Sequence, residues 1–256
     1  MTELDVALEA ARAAARLQLS RPDQVRHKGA IDLVTEVDLA SEHAIREVLA
    51  RHTPGIEVLG EEGGGAAGCA TRWVVDPLDG TTNFVHGLPH FGPSVALQID
   101  GVVQVGVVID VSRGEEFSAA RGGGARCNGR PLQVSTVARL HEALVATGFA
   151  YDRRERAGFY LARVERVLEA CQGVRRAGAA ALDLAWVAAG RLDAYWEYQL
   201  GPWDVAAGAL LVEEAGGGVA WMDAAGGLAA EAGDRPCPLV SNGALHASFV
   251  DLIVRP

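Results

Sequence analysis

The chain has 256 residues, 49% hydrophobic and 22% charged, which suits one large globular domain or two closely joined small ones and excludes a disordered chain. Its 33 acidic against 23 basic side chains give a formal net charge of −10, a poor basis for binding nucleic acid or an anionic membrane directly, since both select Lys/Arg patches. Phosphorylated substrates are not excluded, because a site can carry its positive charge as bound metal.

No run approaches the roughly 20 apolar residues of a membrane span. The opening MTELDVALEA bears acids where a secretory signal has a positive start, so the expected location is the cytoplasm. Cys69, Cys127, Cys171 and Cys237 are widely spaced, without a Cys-x-x-Cys pair, and read as isolated reduced thiols.

In chain order, an Ala-rich helix is expected from about Thr2 to Leu19, ending before Pro22. A second helix starts near Thr35, with Val37, Ala40, Ala44, Ile45, Val48 and Leu49 at helical spacing, and closes at Pro54-Gly55. From Ile56 to about Val134 short apolar runs (IEVL, RWVVD, SVALQI, VVQVGVVI, EEFSAA) alternate with turn residues, Asp100-Gly101 marking a hairpin. Beyond them come a strand near Ala143–Ala146, a helix over Glu155–Cys171, an Ala-rich helix over Ala179–Ala189 and a strand over Leu192–Tyr198. A helix over Pro202–Glu214, a strand over Pro238–Ser241 and a final helix complete the chain. This order predicts a layered α/β architecture of two parts, residues 1–137 and 138–256.

The chemistry concentrates in Asp76-Pro77-Leu78-Asp79-Gly80-Thr81-Thr82-Asn83-Phe84, which follows the apolar Trp73-Val74-Val75. Asp76 falls at the carboxyl end of a buried strand, where ligand sites gather, and a turn at Pro77 can bring Asp79 beside it. Thr81 and Thr82 can open a helical turn whose N–H groups point at an anion. A hairpin turn is the competing reading, since Asp-Pro and Asp-Gly are common turn pairs. Gly60-Glu61-Glu62-Gly63 is a ligand loop or a solvated one, and Trp203-Asp204 opens a helix where an acid also suits the helix dipole. Thr35-x-x-Asp38 has the spacing of a capping box. His86 and His90 are separated by Gly87 and Pro89, which argues for a loop and against a zinc pair.

Taken together, Asp32-Leu33-Val34-Thr35 with Asp38, Gly60-Glu61-Glu62, Asp76 through Phe84, Cys127-Asn128-Gly129, and Glu197 with Trp203-Asp204 resemble the inositol monophosphatase family, within the wider group of lithium-sensitive, magnesium-dependent phosphatases. The resemblance implies an α-β-α-β-α sandwich with two mixed or antiparallel sheets between helix layers. It implies a metal cage of Glu61, Asp76, Asp79, Asp204 and the Leu78 carbonyl holding two or three Mg2+ ions, a donor set that also suits a hard cation chemically. Thr81, held by Asp38, and Glu61 would activate the attacking water, while the N–H groups of Gly80 and Thr81 hold phosphate oxygens and no phosphoenzyme forms. Asp79, Gly178, Ala180 and Glu197 would meet the alcohol portion of the substrate.

By the same resemblance the activity is hydrolysis of inositol monophosphate, and relatives on the scaffold act on fructose bisphosphate, histidinol phosphate or nucleotide 3′-phosphates. A homodimer is implied, and some bacterial relatives join transcription complexes, a role that would run through a protein partner. Glu197 is otherwise a surface acid on a strand. Lys28, the only lysine, either helps close the site or is a solvated loop residue. Pro93 departs from the family pattern and is expected to disturb the start of its strand without touching the ligands. The segment Ala150–Arg156 is too divergent to transfer a substrate contact.

Overall fold

The computed structural model describes residues 1–20, 22, 24–27, 33–65 and 68–255. Among them run α1 (Glu3–Leu17), β1 (Val25–His27), β2 (Leu33–Thr35), α2 (Glu36–His52), β3 (Glu57–Gly60), β4 (Thr71–Asp79), α3 (Thr81–His86), β5 (Gly92–Ile99), β6 (Val102–Asp110), β7 (Glu115–Ala120), β8 (Ala125–Cys127) and β9 (Arg130–Pro131). There follow β10 (Leu144–Thr147), α4 (Ala157–Ala170), β11 (Gly173–Arg175), α5 (Ala180–Ala188), β12 (Ala194–Trp196), α6 (Pro202–Glu214), β13 (Gly217–Met222), β14 (Leu228–Ala229), β15 (Pro238–Asn242) and α7 (His246–Val254).

The apolar runs of β4, β5 and β6 are continuous because both faces of their sheet are covered. Trp73, Val75, Val95, Leu97, Val105 and Val107 bury one face against α1 and α2. The alternate residues Val74, Ala96 and Val108 bury the other against α5 and α6, as the period of two in a strand requires. The same alternation recurs in the second sheet: Ala146, Tyr195 and Val240 face α5 and α6, while Val145, Trp196 and Leu239 face Tyr160 and Val167 of α4 and Phe249 and Ile253 of α7. The result is five layers, α-β-α-β-α. The first sheet has order β3-β4-β5-β6-β7-β8-β9 and the second β11-β10-β12-β15-β13-β14. Both are mixed: β3 runs parallel to β4, and β10 runs parallel to β11 and β12, with the remaining pairs antiparallel. The middle helix layer, α5 and α6, packs on both sheets through a cluster that joins Val74, Ala96 and Val108 to Ala146, Tyr195 and Val240, so the two parts of the chain share a core.

Local sequence accounts for the helix starts. Thr2 and Asp5 form a capping box on α1, and Thr35 and Asp38 form one on α2. Alanines 7, 10, 11 and 14 give α1 a flat buried face that lets it lie close to β5 and β6. Asp100 (φ 49°) and Gly101 (φ 79°) make the two-residue turn joining β5 to β6. Asn128 and Gly129 do the same between β8 and β9. Cys127-Asn128-Gly129 is therefore a hairpin turn held by Asn128 to Gly114 and Glu116.

Three details differ from the sequence reading. Pro93 does not disturb β5, which already begins at Gly92: the register with β4 runs Asp79↔Gly92 and Asp76↔Ser94, so Pro93 faces the bulge at Pro77-Leu78, where no ladder bond is required. The strand expected over Leu192–Tyr198 is ordered only as Ala194–Trp196, since Asp193 turns its carboxylate to Ser135 and the Leu144 N–H, and Gln199 has φ 55°. Strands β1, β2, β11, β13 and β14 had no clear signal; β13 opens on Gly217-Gly218, where any Cβ would strike Val212, the Ser241 carbonyl or the His246 ring.

Glycine is also required where α6 crosses β6. A Cβ at Gly106 would lie 2.9 Å from the Cα and carbonyl oxygen of Ala207, backbone atoms that cannot rotate aside. Gly106→Ala is expected to destabilise the fold by about 1–3 kcal/mol in urea unfolding, as overpacking does, and to displace the helix that carries Asp204.

Candidate active site

The end of β4 and the starts of α5 and α6 hold the three aspartates of the site. β4 ends in Asp76-Pro77-Leu78-Asp79, and Gly80 (φ 86°) reverses the chain into α3. A Cβ at Gly80 would meet the His90 carbonyl at 2.9 Å. The Leu78 N–H donates to Asp76 Oδ1 at 2.9 Å, and Gln18 Nε2 donates to the Pro77 carbonyl at 2.7 Å. Asp79 Oδ2 accepts from the Ala181 N–H, the first turn of α5, at 2.7 Å. Asp204, third residue of α6, accepts from the Gly201 N–H at 2.7 Å. Each of the three carboxylates thus has one oxygen anchored to a backbone donor.

Asp76, Asp79 and Asp204 converge, with ligand oxygens within 4.8 Å of one another. Asp76 and Asp79 are buried and Asp204 is half-buried. Burial, then the charges of Glu61, Asp79 and Asp204, pushes Asp76 well above the usual carboxylate range. Asp79 is raised by burial and then by Asp204, against the pull of the Ala181 N–H. Asp204 is pushed up to about 7 by burial and by Glu61. The leading charges acting on this trio are acids. A largely buried donor set of oxygens alone suits a hard divalent cation.

Glu61 follows β3, and the register Gly60↔Val75 sets it alongside Asp76. It lines the same cleft but lies outside the tight trio. Thr81 stands at the start of α3, its hydroxyl 2.9 Å from Asp38 Oδ1 and 3.1 Å from the Leu78 carbonyl. Asp38 does not reach the cleft. It is buried beneath Thr81, and its Oδ2 takes the Thr35 hydroxyl and N–H. Burial raises its pKa while these hydrogen bonds hold it back. The capping box and the grip on Thr81 coexist in one carboxylate.

The cleft, about 550 Å³, is lined by Glu61, Asp76, Leu78, Asp79, Gly80, Thr81, Gly178, Ala180, Glu197 and Asp204, every expected site residue except the underlying Asp38. Glu197 is buried, bonded by the Tyr195 hydroxyl, and raised to about 7, first by burial. A Cβ on Gly148 would fall 1.9 Å from its Oε2, so that glycine makes room for the carboxylate. Lys28 and Asp32 lie outside the described residues.

The sequence reading missed several groups around the cleft. Ala150, Tyr151 and Arg153 line it from the divergent segment, joined by Phe149 just before it and by Arg176 and Arg235; arginines scattered among many others carry no local signal. Asn83 donates to the carbonyls of His90 and Ala177, at 2.8 and 2.9 Å, tying the α3 turn to the segment before α5. His90 is buried, its Nε2 3.3 Å from Asp183, whereas His86 is exposed.

Residues 1–252 match the model of the inositol monophosphatase family. The chain belongs to that family. It is 48% identical over 225 residues to the Nus factor SuhB of Pseudomonas aeruginosa, covering 84% of this chain and 83% of that one. It is 44% identical over 237 residues to an inositol-1-monophosphatase of Rhizobium meliloti, covering 91% and 87%. The solved inositol monophosphatase of Anabaena superposes with a TM-score of 0.86 at 42% identity, covering 98% of this chain and 94% of the other. The five-layer fold is the family's, and the chain is a phosphatase. No helix among the described residues is long and apolar enough to cross a membrane.

Crowded carboxylates have a measurable consequence. A carboxyl group whose pKa rises on folding, as that of Asp204 does to about 7, favours the fold at low pH; that contribution is lost as pH climbs from the unfolded value near 4 through the folded one. In EDTA, Asp204→Asn is expected to have a higher Tm than the parent at about pH 7.5, with the gap closing toward about pH 5 and on adding Mg2+. A gap that does not change with pH in calorimetric scans would contradict the burial argument.

Proposed function

We propose that the chain hydrolyses inositol monophosphate to inositol and phosphate by direct in-line attack of water, with Mg2+ as cofactor. The observation that carries this reading is the convergence of Asp76, Asp79 and Asp204 beside Thr81 and its buried partner Asp38. The carboxylates of Glu61, Asp76, Asp79 and Asp204 and the Leu78 carbonyl would hold two or three ions. When bound, Mg2+ supplies charge neutralisation at the phosphate and leaving oxygens and acidifies water.

The chain's own groups do the positioning on which phosphoryl transfer depends. Thr81 has one proton and two acceptors within reach, and the carboxylate of Asp38 outcompetes the Leu78 carbonyl for it. A Thr81 lone pair is then available to accept from the attacking water, while Glu61 accepts its second proton. The N–H groups of Gly80 and Thr81 hold phosphate oxygens. Asp79, Gly178, Ala180 and Glu197 receive the alcohol portion, where Glu197, when ionised, accepts from ring hydroxyls. As the water oxygen bonds to phosphorus, the bond from phosphorus to the alcohol oxygen breaks; the water's proton passes to Glu61 and the departing alkoxide takes a proton from solvent water, giving the free alcohol.

A panel of inositol monophosphate, fructose 1,6-bisphosphate, histidinol phosphate and a nucleotide 3′-phosphate, each with Mg2+, tests the substrate. Inositol monophosphate is expected to give the highest kcat/KM; dominance of another ester would reassign it. Thr81→Ala is expected to lower kcat about a hundredfold or more, the range for a positioned proton acceptor, with a smaller effect on KM.

The similarity to a Nus factor supports a second role, binding a protein partner in a transcription complex as a cytoplasmic homodimer without direct nucleic-acid contact. Asp79→Asn separates the two. Retained association with transcription proteins in a pull-down, together with lost turnover, is the expected outcome of a dual role; loss of both would tie association to the metal site.

A further inference from the structure

We propose that one face of α2 positions both groups assigned to water activation, and that Glu42 on this face sets where Glu61 stands in the cleft. The proposal rests on the phosphatase reading above. Asp38, Glu42 and Arg46 recur every four residues and so share one helix face. Asp38 takes the Thr81 hydroxyl. One turn on, Glu42 is buried at 4% exposure, away from the cleft, with no part in the chemistry.

Its two oxygens accept the two N–H groups that follow Glu61: Glu62 N to Oε2 at 2.8 Å and Gly63 N to Oε1 at 2.9 Å. A further turn on, Arg46 Nε donates to Glu42 Oε1 at 2.8 Å, and its fork reaches the carbonyls of Val58 at 3.3 Å and Gly64 at 3.0 Å. The turn carrying Glu61 is thus gripped on its donors by Glu42 and on its carbonyls by Arg46.

The glycines flanking Glu61 report how closely this grip fits. A Cβ on Gly60 would lie 2.6 Å from Glu42 Oε2, and one on Gly63 2.5 Å from Oε1. Neither glycine has a positive φ, so the backbone conformation does not demand them. The Gly-Glu-Glu-Gly pattern leaves room for the Glu42 carboxylate seated against it, and a Cβ at either glycine would displace that carboxylate.

Thr81 and Glu61 follow different strands, β4 and β3, and their spacing must be held for both to meet one water. A single helix, with one carboxylate for each, supplies that registration more rigidly than two loops could. Glu42 is therefore a positioning residue for Glu61, as Asp38 is for Thr81.

Glu42→Gln keeps the shape but cannot accept both N–H groups, since one oxygen becomes an NH2 donor. It is to be compared with the parent for kcat and KM on inositol monophosphate and, without substrate, for binding of Mg2+ alone by calorimetry. Outer partners of metal sites change affinity or activity by about 10–100-fold. The expected result is a fall in kcat of that size, KM within about twofold, and Mg2+ binding weakened about tenfold.

Gly60→Ala, which displaces Glu42 sterically, is expected to reproduce the pattern and to add little in the double variant; it also serves if Glu42→Gln fails to fold. Folded variants with parental kcat and Mg2+ affinity would overturn the proposal, as would a stability loss accompanied only by a change in KM. A parent protein that binds Mg2+ but hydrolyses no phosphate ester defeats the phosphatase reading instead, and the calorimetry alone then decides the role of Glu42.

Discussion

Like charges held close in a poorly hydrated place are the constraint around which this molecule is arranged. Asp76, Asp79 and Asp204 gather within 4.8 Å, and every carboxyl group moved from water into that setting resists ionisation. The arrangement persists because each carboxylate is tied to a backbone N–H from a rigid turn or helix start: Leu78, Ala181 and Gly201. These anchors are geometric as well as energetic. They hold the acids in place, so a hard cation would meet donors already positioned.

The layered architecture makes those anchors possible. The middle helices α5 and α6 lie between the two sheets. The N-terminus of α5 reaches Asp79 and that of α6 carries Asp204. Close contact at Gly106–Ala207 and Gly208–Leu184 lets α6 approach β6 and α5 near enough for its first turn to face the end of β4. On the outer side, α2 holds Thr81 through Asp38 and grips the turn bearing Glu61 through Glu42. Helices on both faces of one sheet thus converge at the carboxyl ends of β3 and β4.

Much of this was legible in the sequence where a motif is local. The cap at Thr35-x-x-Asp38, the turn at Asp100-Gly101, the strand Trp73-Val74-Val75 and the acid-rich turn after it are short-range features, written within a few residues. Reading Asp38 required one further step, since the same carboxylate both caps α2 and binds Thr81. Pro93 looked disruptive because its partner strand was unknown; the bulge opposite it removes the need for its missing donor. Strand β13 was invisible because Gly217-Gly218 carries no apolar signal, and its pairing with β15 depends on residues about twenty positions away. Arg176 and the loop from Phe149 to Arg153 join the cleft only through the approach of separate segments.

By itself, the sequence determined the chemical inventory: which turns carry acids, which runs must be covered on both faces, and which family pattern they compose. Those properties depend on neighbours along the chain, through dihedral preference, capping and the spacing of apolar side chains. The tertiary structure decided which acids share a pocket, that the Glu42 and Glu197 carboxylates fill the space beside Gly60, Gly63 and Gly148, and in which direction each carboxylate departs from its solution pKa. Those follow from burial and from distances across the fold, and both quantities exist only once segments far apart in the chain have been brought together.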